Sequence, residues 1–206
     1  EQQERDEQQR KRDEQQRKEQ LQMLRHLARP ENPCAEMART SAVSDTSSQQ
    51  NFRTRLSTFY GHGDSQKPKC IVTGVEDAPD SFRVVAAHIW PRSAAETFPF
   101  KTLENGVNNP SNGMFLHQTI EQDMDRLRVC FVCDPFQISA KFVVLHKGIL
   151  EQNLQGTTVK YNDLQFKELK FTIEQRPSFQ LLSKHAQQAF NHSGNDLSMN
   201  EQEVEC

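Results

Sequence analysis

No stretch of this 206-residue chain approaches the roughly 20 consecutive apolar residues that cross a bilayer, and none has the apolar core of a secretory leader. The sequence therefore reads as soluble, with no membrane among its partners. Charge of one sign is equally scarce. Lys+Arg 25 against Asp+Glu 28 gives a formal net charge of −3, and residues 68–190 alone carry 13 of each, a difference of zero. That leaves no broad electrostatic footprint for a polyanion, so only a local basic patch could attract one. Cysteines number five, at positions 34, 70, 130, 133 and 206, an odd and scattered set. Such a set argues against a disulfide framework and for a reducing compartment inside the cell, nucleus or cytoplasm. Apolar residues make up 34%, little for a fully packed chain of this length, so one domain with unpacked flanks is expected. A glycine-rich phosphate loop and a serine nucleophile elbow are both missing.

The flanks account for most of the polarity. Residues 1–29 are a Glu/Gln/Arg-rich segment in which Arg5–Lys11 recurs identically at Arg12–Lys18. The seven-residue step suggests a coiled coil, but the repeat offers no apolar a and d positions. Its residue types favour a solvated helix or disorder, with a coil that recruits a protein partner as the alternative. Leu21, Met23, Leu24 and Leu27 form a short apolar end before Pro30 stops it. The chain opens on Glu1 rather than Met, which reads as a fragment or processed product. Residues 30–54, rich in Ser, Thr, Asn, Gln and Pro, read as a flexible linker. The polar residues 191–206 read as a disordered tail.

Between them, residues 55–190 read as a single α+β domain. Cys70–Gly74 is a brief β-type run ended by glycine, and Phe82–Ile89 alternates well enough for a strand that Pro91 stops. The long loop of residues 93–109 follows, then a short apolar run, Asn112–Leu116. Long loops inside compact domains are often functional. Thr119 and Gln122 fit a capping box, after which Ile120, Met124 and Leu127 make one apolar helical stripe. Glu121 and Asp125, four apart, project from one face of that helix. Strands are expected at 129–133, 138–145, 157–161 and 169–173. A C-terminal helix then carries Phe179, Leu182, Ala186 and Phe190.

Strand, loop, strand and helix, with Ala87-His88-Ile89 closing the first strand and Asn112-Gly113-Met114-Phe115-Leu116 opening the second, resembles the HNH endonucleases. The ββα-metal unit of that family cuts phosphodiester bonds. The resemblance covers about residues 68–190, and Arg176-Pro177-Ser178 with a following helix bearing His185 resembles a eukaryotic, largely fungal branch. It implies His88 as the general base, Asn112 as the brace that aims it, and Glu121 with Asp125 as ligands of a divalent metal ion. Glu121 stands where the family has its last histidine, and Ala87 where better-known members carry a ligand. Two carboxylates favour Mg²⁺ or Mn²⁺ over Zn²⁺. DNA is the implied substrate.

Other readings of these residues stay open. A histidine at a strand end is often structural, Asn112 before Gly113 can simply form a turn, and Glu121 with Asp125 can be a solvated face favoured by the helix dipole. Taken together these make a degenerate HNH fold, serving as a nucleic-acid or protein binding module, the alternative to the enzyme. His117 is a fallback ligand, out of the expected spacing. Cys130 and Cys133 look like half a zinc knuckle, but a strand sets i and i+3 on opposite faces.

Overall fold

The computed structural model describes residues 46–61 and 67–202, apart from 79, 101, 135, 137, 172 and 173, together with 7, 8, 10–12, 15 and 17. Its elements bear out the α+β class. Helix α1 (Thr46–Phe59) leads to strand β1 (Val84–His88), a loop of short 3₁₀ turns, strand β2 (Gly113–His117) and helix α2 (Gln118–Asp125). Strands β3 (Val129–Asp134) and β4 (Ser139–Val144), the one-turn helix α3 (Tyr161–Leu164), strand β5 (Glu168–Lys170) and helix α4 (Phe179–Gln202) follow.

Two antiparallel sheets result. β1 pairs with β2, with Val84 opposite His117 and His88 opposite Gly113. β3, β4 and β5 form a three-stranded sheet in that order. The main core lies among α1, the β1–β2 hairpin, α2 and one face of the second sheet, with Phe52, Leu56, Ile89, Leu116, Ile120, Met124, Phe131 and Phe142 fully or almost fully enclosed. The other face of the second sheet packs Cys130, Val132, Val143 and Leu145 against Ala186, Ala189 and Phe190 of α4. Cys130 and Cys133 thus sit in different cores as buried free thiols, which rules out a shared zinc site.

Several expectations are corrected. Residues 46–54, read as linker, belong to α1, because Phe52 and Leu56, one turn apart, give that polar segment an apolar edge to bury. Cys70–Gly74 is a tight turn rather than a strand. Gly74 N–H donates to Cys70 C=O (2.7 Å) and Cys70 N–H to Val75 C=O (2.9 Å), with Gly74 at φ 77°. Residues 157–160 form a turn region that leads into α3, not a strand, since Tyr161 buries its ring from a helical turn. α2 starts one residue before Thr119, and its cap is His117, whose Nδ1 accepts the Thr119 N–H at 3.2 Å. α4 runs on to Gln202, beyond the point where a disordered tail was expected. In the N-terminal repeat the described residues carry a Glu7–Lys11 ion pair one turn apart at 2.7 Å, and no coiled coil is seen among them. The rest of that repeat, and all of residues 18–45, lie outside the described residues.

Candidate functional site

His88 is the last residue of β1, where alternation would let its side chain face either the core or the surface. Its environment is set by three neighbours from three elements. The Phe52 ring of α1 stacks on the imidazole, centroids 3.7 Å apart and planes 14° off parallel. Asn108, at the end of the 3₁₀ turn Gly106–Asn108, places Oδ1 3.1 Å from Nε2. Arg92, the first residue of the 3₁₀ segment Arg92–Thr97, brings a positive charge. The ring is half-buried. Its pKa is pushed down to about 4, chiefly by burial, with the Arg92 charge acting the same way and the Asn108 hydrogen bond opposing. His88 is therefore neutral at pH 7.

Asn112 is wholly enclosed, and its amide spans the loop. Its Oδ1 accepts the Trp90 backbone N–H at 2.7 Å, while Nδ2 donates to the carbonyls of Trp90 (3.0 Å) and Val107 (2.8 Å). The segment just after His88 is thereby tied to the segment just before Asn108. Trp90 adds an indole N–H bond to Ala94 C=O at 2.8 Å, closing the near side of the loop. A buried amide with its acceptor and both donors used holds the backbone far more tightly than an exposed one would.

Asn112 ends the 3₁₀ turn Pro110–Asn112, and the Gly113 N–H closes that turn on Pro110 C=O. Gly113 is extended, φ −145°, and opens β2. The need for glycine is packing: a Cβ there would come within 2.5 Å of Phe52 Cζ and 3.0 Å of Leu56 Cδ1. The absent side chain lets α1 approach the hairpin closely enough for Phe52 to reach His88 on the neighbouring strand.

α2 is organised differently. Its buried acid is Asp123, 5% exposed, which accepts from the Tyr161 hydroxyl and faces Arg128 Nη1 at 3.4 Å and Arg126 Nη1 at 4.0 Å. Burial, then the hydrogen bond to Asp123, pushes the Tyr161 phenol well above its ordinary range. Glu121 is half-buried and Asp125 exposed, one turn apart. Among the described residues no three His, Cys, Asp or Glu side chains come together to hold a metal ion. The position before His88 is closed to ligation by Ala87, 2% exposed. Glu121 and Asp125 offer carboxylate oxygens, the donor type that suits a hard ion such as Mg²⁺. His117 is buried and its Nδ1 is committed to the α2 cap, so the fallback ligand is a capping residue. Burial lowers its pKa also.

Asn108, Phe52 and Asp123 have roles that the sequence reading missed. Asn108 lay in a polar run with nothing to single it out from Asn105 and Asn109. Phe52 fell in a segment read as linker, although an aromatic in a polar stretch is a sign of docking. Asp123 sat between two acids placed at a motif's spacing.

No curated protein matches this chain. Residues 70–132, from the Cys70 turn through β1, the loop, β2 and α2 into β3, match the family model described as HNH endonuclease.

Proposed function

We propose that this protein is a metal-dependent endonuclease that hydrolyses phosphodiester bonds in DNA, with His88 as general base and Asn112 as the brace that keeps it aimed. The observation that carries this reading is the grip of Asn112 on Trp90 and Val107, which turns the loop beside His88 into a fixed mount. A general base must be unprotonated before it acts, and burial keeps His88 so at neutral pH. A phosphate arriving beside it would offset the Arg92 charge and raise the ring's basicity toward the working range. Arg92, and Lys184 with its ammonium 6.0 Å over the Trp90 ring, supply positive charge beside the mount that the balanced overall charge does not. Glu121 and Asp125 would hold Mg²⁺ or Mn²⁺, which supplies charge stabilisation for the phosphate and leaving oxygen.

The test is nicking of supercoiled plasmid by the full chain with Mg²⁺, Mn²⁺ or EDTA, beside His88→Ala. The expected result is metal-dependent nicking, reduced about 100- to 10,000-fold in the variant. A folded chain that nicks with neither metal is instead the binding module, and nicking that survives the substitution removes His88 from the chemistry.

A further inference from the structure

Which nitrogen of His88 would take the proton is fixed by residues that the motif does not include. The imidazole has one face covered by Phe52 at 3.7 Å, so the ring is held in its plane. Within that plane Nε2 meets Asn108 Oδ1 at 3.1 Å. An amide oxygen only accepts, so with the Asn108 amide in this orientation Nε2 carries the hydrogen and the lone pair is left on Nδ1. The backbone that carries Asn108 is fixed: its turn is closed by the Asn108 N–H bond to Asn105 C=O at 3.0 Å, and the adjoining Val107 carbonyl is held by Asn112 at 2.8 Å.

We propose that Asn108 is the positioning residue of the site, holding His88 as the Nε2–H tautomer so that Nδ1 is the basic atom. This rests on the nuclease reading for the meaning of the base, but the tautomer itself does not. In the proposed step a water O–H bond breaks and Nδ1–H forms, with Nε2–H retained on Asn108 throughout. The water oxygen attacks phosphorus, and the bond to the leaving oxygen breaks with its electron pair on that oxygen. Imidazolium then forms with its second N–H already matched to an acceptor. The charged group whose field reaches the ring is Arg92; α1 contributes only the uncharged Phe52 face.

The experiment is a long-range ¹H–¹⁵N correlation spectrum of the full chain at neutral pH, with His88 signals assigned by their loss in His88→Gln. It is read for wild type, Asn108→Leu and the nearly isosteric Asn108→Asp, beside pH–rate profiles of plasmid nicking. The expected result is the Nε2–H tautomer in wild type and a mixture of tautomers in Asn108→Leu. Nicking should fall about 3- to 10-fold in Asn108→Leu, the worth of one neutral hydrogen bond. In Asn108→Asp the added carboxylate should move the His88 titration and the acid limb of the rate profile up together, by about one pH unit or more. An Nδ1–H tautomer in wild type, or a tautomer unchanged in Asn108→Leu, overturns the proposal even if plasmid is cut. The expected spectra with no nicking from wild type would uphold Asn108 as the tautomer-setting residue and overturn the nuclease reading alone.

Discussion

The two ends of the ββα unit are built to different standards. At the hairpin end, His88 is stacked, hydrogen-bonded and mounted on a loop whose backbone is tied by a fully buried amide. At the helix end, the buried acid Asp123 serves packing and α3, while the two carboxylates at the motif's spacing lie half-buried and exposed. The difference teaches what each half of such a site needs from a fold. A base must be aimed to a fraction of an ångström and kept neutral, which only a rigid, partly dry mount achieves. Carboxylates that share a hard ion with water and phosphate need charge more than a preformed cage.

The strongest way to break this contrast is Asn112→Leu. It leaves the Trp90 N–H and two carbonyls in a closed space without partners, and should cost about 3–5 kcal/mol, read as a lower urea midpoint with unchanged slope. A loss below 1 kcal/mol would mean that the loop is not held by this amide.

Acid should act next. The folded pKa of His88, about 4, lies below its ordinary 6.5, so the unfolded chain takes up the proton first as pH falls. The stability that this group contributes is whole above pH 6.5 and drains away as pH falls to about 4, by about 3 kcal/mol at most. Burial of His117 adds in the same direction. Urea midpoints at about pH 7 and pH 4.5 should therefore converge in His88→Gln relative to wild type; equal pH slopes in the two would mean that His88 is not kept neutral by the fold.

Gly113→Ala sharpens the comparison, because its methyl strikes Phe52 and Leu56 and not His88 or Asn112. The ring must tilt off His88, so stability should fall by about 1–3 kcal/mol and nicking should fall with it. Unchanged activity at reduced stability would show that the stack is dispensable. The smallest stability effect is expected at the other end. Glu121→Gln with Asp125→Asn should change stability by less than about 0.5 kcal/mol yet raise the Mg²⁺ or Mn²⁺ concentration needed for half-maximal nicking. An unchanged metal requirement would take both residues out of metal binding.

Much of this arrangement was legible before folding was considered. The strand ended by Pro91, the apolar Asn112–Leu116 run and the Ile120–Met124 stripe are local signals of period and chain-breaking, and the structure places β1, β2 and α2 on them. The register that sets His88 opposite Gly113 came only from the structure, because β2 is buried at every residue and its sequence offers no alternation to single out one pairing. The linker reading of residues 46–54 failed because helix propensity there is unremarkable and the deciding contact, Phe52 on His88, is long-range. Asn108 could not be picked from the asparagines beside it, because its role depends on where a 3₁₀ turn aims one amide. Asp123 was hidden by the acids flanking it until Tyr161 came to meet it from a later helix. Sequence alone thus determined β1, β2, α2 and the candidacy of His88 and Asn112, because periodicity and chain-breaking act within a few residues. Tertiary structure decided which groups are enclosed and which asparagine meets Nε2 of His88. Those outcomes rest on burial and on hydrogen-bond geometry between segments far apart in the chain.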